Sequence, residues 1–130
     1  MDEKAMLGLN KKSFELNYHG GSIWAEHLDS MGIYEEEVIK KFLNDAKLFT
    51  RPSASSFLVI NIDETEVTDH IIDCLVETIK NTDKAFRKIA FVGVGKKEKR
   101  ELTKYLDGNG FLLGFFSDYE KAKEWSLSLK

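Results

Sequence analysis

Apolar and polar residues alternate along two short runs near the amino end of the chain. Every second residue is apolar in 13–19, and the alternation resumes in 22–28. A period of two residues is typical of a half-buried strand. Because Gly20 and Gly21 separate the two runs, the sequence predicts a β-hairpin.

The rest of the chain alternates between helical patterns and short apolar runs. The runs SFLVINID, KIAFVGV and FLLGFF have the length of strands and contain few polar residues. Such runs are typical of parallel strands that are buried on both faces. Apolar residues recur every three or four positions in the segments between and after these runs, which predicts amphipathic helices. The predicted helices cover 34–50, 68–81, 96–106 and 119–129.

This order of elements, β-β-α-β-α-β-α-β-α, predicts one α/β domain over residues 13–130, with an N-terminal hairpin and otherwise mostly parallel strands. Residues 1–12 lack a clear period and are expected to form a flexible lead-in. Thr68 is a predicted N-cap, and Ser117 with Glu120 predicts a capping box. The predicted core contains Val59, Ile60, Ile72, Leu75, Ile89, Phe91, Leu112, Phe115 and Trp125.

Composition and charge narrow the class of protein. The chain has 130 residues, a net charge of −3 and 42% hydrophobic residues, enough for one buried core. The acidic balance argues against nucleic acid as a partner, because phosphate binding needs surplus Lys and Arg. Neither a signal peptide nor an apolar run of transmembrane length is present, and only one cysteine occurs. We therefore expect a cytoplasmic protein without a transmembrane segment.

The residue types that carry catalysis form no recognisable arrangement. His70 and Cys74 are four positions apart on one predicted helix face, but a metal site needs three or four ligands. No nucleophile elbow of the form G-x-S-x-G occurs. The expectation is a protein without a catalytic residue, a metal or a cofactor, although a small enzyme stays open as a less favoured reading.

Positive charge is concentrated at the start of the third predicted helix. In GVGKKEKR, Lys96 and Lys97 oppose the helix dipole. One interpretation is a site for an anion or an acidic partner at the helix start. The other is a solvated face whose lysines are compensated by neighbouring glutamates. The candidate residues for the anion or partner site are Gly93, Gly95, Lys96, Lys97 and Arg100.

Aromatic residues are concentrated near the carboxyl end. Phe111, Phe115, Phe116 and Trp125 lie within fifteen positions of one another. Aromatic side chains at such spacing usually pack in a core. The alternative is that some of them line an apolar groove for a ligand. Both interpretations remain open.

The layout resembles the STAS superfamily, and most closely its SpoIIAA-like branch. Members of that branch show a basic residue before an I-A-V-V-like strand, then a helix, a hydrophobic strand rich in Phe, and a closing A-x-x-W helix. The corresponding segments here are RKIAFVGV, FLLGFFSDYE and KAKEW, with Ala122 and Trp125 at the A-x-x-W positions. The resemblance covers residues 13–130 in the order of elements and residues 87–126 in the sequence motifs.

The resemblance implies a non-enzymatic role in regulation. The expected partner is a protein or a small, lipid-like ligand, and a dimer is possible. Anti-sigma factor antagonists of this superfamily carry a phosphorylated serine in an Asp-Ser-Ser-Gly-type turn, where this chain has DETEVTDHII without Ser or Gly. A phosphoswitch is the alternative function, and Thr65 and Thr68, the nearby hydroxyls, are its candidate phosphoacceptors.

Overall fold

The structure is a computed structural model that describes residues 12–19 and 21–128. In this part of the chain, five strands form one sheet and four helices pack against it. The predicted α/β order of elements is confirmed, whereas the predicted flexible segment lies outside the described residues except for Lys12. The elements are β1 (Phe14–Tyr18), β2 (Gly21–His27), α1 (Glu35–Phe49), β3 (Phe57–Asn61), α2 (Asp69–Asn81), β4 (Lys88–Val92), α3 (Lys96–Leu106), β5 (Leu112–Phe116) and α4 (Tyr119–Ser126).

The strands lie in the sheet in the order in which they occur in the chain. The order is β1-β2-β3-β4-β5; β1 runs antiparallel to β2, and the other three pairs are parallel. The hairpin prediction is therefore confirmed. The register places Val59 beside Ala90 and Ile60 beside Phe91, so neighbouring strands present their buried residues to the same face.

The two faces of the sheet are covered unequally. One face, called here the three-helix face, packs Ile60 and Phe91 against apolar residues of α1, α2 and α3. The other, called the α4 face, packs Val59 and Ala90 against Ala122 of α4. Because side chains of a strand alternate between faces, the buried strands need apolar residues at nearly every position. This explains the continuous apolar runs of β3 and β4.

Of the two predicted helix caps, one is confirmed and the other is wrong. Thr68 is the N-cap of α2, and its hydroxyl accepts a hydrogen bond of 3.3 Å from the Ile71 amide, as predicted. The capping box at Ser117 is wrong. α4 begins after Asp118, whose carboxylate accepts a hydrogen bond of 2.9 Å from the Lys121 amide. Asp is as good an N-cap as Ser, so the pattern alone did not separate the two positions.

Most of the predicted core is buried, with one clear exception. Leu112 is 52% exposed because it lies on β5, at the open edge of the sheet, where no described element covers it. Phe115 and Trp125 are half-buried and pack against the two core clusters. None of the described helices combines the length and the apolar character that crossing a membrane requires. The buried members of the predicted core are Val59, Ile60, Ile72, Leu75, Ile89 and Phe91.

Candidate functional site: a crevice at the carboxyl ends of β4 and β5

After the neighbouring strands β4 and β5, the chain continues into helices on opposite faces of the sheet. β4 leads into α3, on the three-helix face, whereas β5 leads into α4 on the other face. In open α/β sheets, such a divergence leaves a crevice beyond the carboxyl ends of the strands, where ligands commonly bind. We call this feature the switch-point crevice; it is open to solvent and has a volume of about 470 Å³. Its lining residues are Asp63, Gly93, Val94, Gly95, Lys99, Phe115, Phe116 and Ser117.

Gly93 allows the backbone segments at the floor of the crevice to pack closely. Its φ of +83° lies in the left-handed region that favours glycine. A Cβ atom at this position would lie 2.7 Å from the Asp63 Cα atom, which is too close for backbone atoms to accommodate. The Gly93 amide also donates a hydrogen bond of 3.1 Å to the Phe116 carbonyl. Gly93 thereby joins the ends of β3 and β5. Although it was predicted as part of an anion site, its observed role is structural.

The start of α3 already carries a negative group of its own. Gly95 is the N-cap, and a Cβ atom there would lie 2.6 Å from Glu98 Oε1. The Glu98 carboxylate therefore lies against the helix start, where the dipole favours an anion. The predicted cations Lys96, Lys97 and Arg100 are exposed around it (Gly95 is exposed as well). An external anion at this helix start would have to compete with Glu98.

A cation and an aromatic ring meet on the three-helix side of the crevice. Lys99 Nζ lies 5.6 Å from the centre of the Phe115 ring, within the range of a cation–π contact. The Phe115 ring stacks on Phe91, with centroids 5.7 Å apart and planes 19° apart. The buried ring of Phe91 thus fixes Phe115, and Phe115 in turn supports the ammonium group at the crevice wall.

The four aromatic candidates do not line one groove. Phe116 contacts Trp125 on the α4 face with ring centroids 5.4 Å apart, where Gly114 leaves room for both rings. Phe115 is on the opposite face, and Phe111 lines a separate pocket of about 180 Å³ beside Phe86. Only Phe115 and Phe116 reach the crevice. Adjacent strand residues point to opposite faces, which is why closeness in sequence did not bring these rings together.

The two threonine candidates use their hydroxyl groups within the fold. The Thr65 hydroxyl donates to the Leu28 carbonyl at 2.7 Å and accepts from the Met31 amide at 3.1 Å. The Thr68 hydroxyl caps α2 and also donates to Glu35 Oε1. Thr65 and Thr68 therefore connect the loops that follow β2 and β3, and both side chains are partly buried.

Sequence reasoning missed part of the crevice. Four of the residues that line it, Asp63, Val94, Lys99 and Ser117, were not among the predicted site residues. The available signal was position: Asp63 comes two residues after the end of β3, and Ser117 directly follows β5. Since carboxyl ends of parallel strands meet at one edge, residues at those positions gather there.

A second polar cluster lies inside the core, away from the crevice. Glu26 on β2 is 1% exposed, and its Oε1 atom accepts a hydrogen bond of 2.9 Å from Trp24 Nε1. Burial, assisted by the neighbouring carboxyl of Asp45, raises the pKa of Glu26 from 4.5 to about 9. Lys41 Nζ on α1 donates to Asp45 at 3.1 Å and to Ser13 at 2.9 Å. Burial therefore favours the neutral, protonated form of the Glu26 carboxyl at neutral pH.

Comparison with other proteins gives no further assignment: no family model matches the chain, and no match was found among curated proteins or solved structures. Among residues 12–19 and 21–128, no group of three His, Cys, Asp or Glu side chains is arranged to hold a metal ion. The crevice itself offers aromatic surface, one ammonium, one carboxylate and one hydroxyl, a set suited to recognising a partner by contact.

Proposed function

We propose that the protein is a non-enzymatic, STAS-like binding domain that regulates a partner protein through contact at the switch-point crevice. The crevice carries the proposal, because it combines the divergence of α3 and α4 with Phe115, Lys99 and Ser117. Polar groups around an apolar surface are the usual composition of a recognition site. The resemblance to the SpoIIAA-like branch supports a regulatory role.

A protein partner fits the crevice better than an enclosed lipid does. The crevice is an open depression, whereas small-molecule sites bury most of their ligand. The division of the aromatic candidates between two faces also leaves no continuous apolar lining of lipid length. A small or lipid-like ligand is the alternative occupant. The proposal includes a cytoplasmic location and no nucleic-acid partner, the latter supported by the acidic balance of the chain.

The proposal is tested by photo-crosslinking at the crevice. A photoreactive amino acid in place of Ser117 is expected to capture a partner in cells that naturally make the protein. Ser117 is suitable because its side chain is exposed and lies at the crevice rim. The matched control is the same replacement at Ser53, an exposed serine in the loop before β3, on the amino-terminal side of the parallel strands and away from the crevice. The captured chain is identified by mass spectrometry.

Three outcomes separate the possibilities. Capture of a defined protein at Ser117 and not at Ser53 supports the proposal. A small-molecule adduct at Ser117, seen by native mass spectrometry of the purified protein, favours the ligand alternative instead. Equal capture at the two positions, or none at Ser117, contradicts a role for the crevice.

A further inference from the structure

β5 is an open edge of the sheet. It pairs with β4 on one side, and none of the described strands lies on its other side. The Leu112 amide donates to the Arg87 carbonyl at 3.0 Å, so the peptide groups of Leu112 point toward β4. Because peptide groups alternate along a strand, those of Leu113 and Phe115 point to the open edge. They form a row of donors and acceptors to which another strand can bind.

This edge lacks the features that usually prevent pairing. Natural edge strands carry charged residues or proline, or are covered by another element. Residues 108–117 contain neither a charge nor a proline, in a chain of which 32% of the residues are charged. Leu112 is also 52% exposed beside the edge. An uncharged, uncovered edge is a suitable template for strand addition.

Positive charge borders this edge on the three-helix face. Lys99 lies over the Phe115 ring and therefore on the side of α3 that faces β5. The helical period of 3.6 residues places Lys96 on the same side as Lys99, and places Glu98 and Glu101 on the side toward α2. The side of α3 next to the edge thus carries two cations, Lys96 and Lys99, whereas Glu98 lies at the start of the helix.

We propose that an extended, acidic segment of a partner protein adds to the sheet as a strand beside β5. Its peptide groups would pair with those of Leu113 and Phe115. Its side chains would alternate, with acidic residues toward Lys96 and Lys99 and apolar residues beside Leu112. A second copy of this chain fits less well, because two-fold pairing of β5 strands brings the two sets of α3 lysines toward each other.

The inference rests on the proposed function only in requiring a protein partner. Lys99 and Phe115 border both surfaces. The crevice is therefore tested by crosslinking at Ser117 and the edge by its backbone pairing at Leu113, so the two can fail separately. Failure of the crosslinking experiment leaves the edge as a candidate, and failure of the peptide experiment below leaves the crevice as one.

The experiment titrates the intact protein with a short, capped peptide of alternating valine and glutamate. We expect binding that weakens as salt increases, with slower hydrogen exchange at the Leu113 and Phe115 amides. Lys99→Glu should weaken binding about fivefold at low salt. The matched control Lys40→Glu, at an exposed lysine on α1, should leave binding unchanged.

Two further variants isolate the backbone pairing. A peptide with N-methyl groups on the amides that face β5 should bind at least about tenfold more weakly, because its donors are removed. Leu113→Pro removes a donor from the open edge without touching the β4 pairing and should have the same effect. If that variant unfolds, the N-methylated peptide decides alone, since it leaves the protein unchanged.

The proposal is overturned by any of three results of the peptide titrations. These are no binding of the acidic peptide at low salt, equal binding of its N-methylated form, or equal binding of a valine–lysine peptide. A concentration-dependent dimer that protects the Leu113 amide would also overturn it, and would assign the edge to a second copy.

Discussion

Lys88 Nζ donates a hydrogen bond of 2.7 Å to the backbone carbonyl of Trp125 and lies 5.1 Å from the centre of its indole ring. Both residues belong to the segments that carry the resemblance to the SpoIIAA-like branch, RKIAFVGV and KAKEW. Lys88 is 5% exposed, and its ammonium also donates to the Ser128 carbonyl at 3.0 Å. A cation at the carboxyl end of α4 complements the helix dipole and fastens α4 to the sheet.

Replacing this lysine should loosen α4. Lys88→Met keeps an apolar stem and removes the donors, so we expect a loss of about 1–3 kcal/mol in the free energy of unfolding. Hydrogen exchange should accelerate in α4 before other helices. The control is Lys121→Met on the same helix, at an exposed side chain. Equal stability of the two variants would show that the buried ammonium contributes nothing.

Glu26→Gln should stabilise the protein at neutral and alkaline pH. The folded-state pKa of Glu26 is about 9, far above the ordinary value of 4.5. Stability from the neutral group is therefore fully present below about pH 4.5 and is lost as pH rises toward 9, by about 1.4 kcal/mol for each pH unit. Glutamine keeps the acceptor for Trp24 and has no proton to lose, so the variant should gain at least about 2 kcal/mol at pH 8.

The pH profile distinguishes this effect from general stabilisation. Denaturant unfolding of the native protein and of Glu26→Gln at several pH values should converge near pH 5 and separate above it. Glu66→Gln, at an exposed side chain, is the control and should follow the native curve. Parallel curves for the native protein and Glu26→Gln would mean that the buried carboxyl does not titrate as described.

Phe91→Ala should be the most costly of these substitutions. Phe91 is 0% exposed and supports the ring of Phe115. We expect a loss of about 3–5 kcal/mol from the cavity and the lost burial. Leu112→Ala, which also shortens an apolar residue but at an exposed site, should cost less than about 1 kcal/mol. Chemical unfolding of both variants measures the difference, and similar losses would contradict the placement of the two strands.

The double substitution Lys96→Ala with Lys97→Ala tests the predicted anion site. Since Glu98 lies at the start of α3, we expect the variant to melt at or slightly above the native temperature. Two charges that oppose the dipole are removed, and Ala is the better helix former. Phosphate should change neither melting curve. A phosphate-dependent increase in the native protein, lost in the variant, would restore the anion site.

Neither Thr65 nor Thr68 is expected to accept phosphate. Both hydroxyls bond within the fold, and a phosphate would break the contacts of Thr65 with Leu28 and of Thr68 with Glu35. Incubation with an anti-sigma factor kinase and ATP should leave residues 63–70 unmodified by mass spectrometry. Stoichiometric modification of either threonine would favour the phosphoswitch alternative over the proposed contact function.

Local patterns in the sequence determined the elements and their order. Burial on both faces of β3 and β4 leaves a continuous apolar run, and the helices show a 3.6-residue period, because each element must bury its own apolar side. The Thr68 cap was readable for the same reason, since a cap bonds to an amide three residues away. These features depend on neighbours in the chain and are visible without the fold.

Relationships between distant segments were decided only by the tertiary structure. The contact of Gly93 with Asp63, the burial of Glu26 beneath α1 and the exposure of Leu112 each depend on which element lies opposite. The same holds for the aromatic candidates. They are close together in the sequence, but they lie on different faces of the sheet. Residue type and spacing carry no information on these distances, because packing partners lie tens of residues apart in the chain.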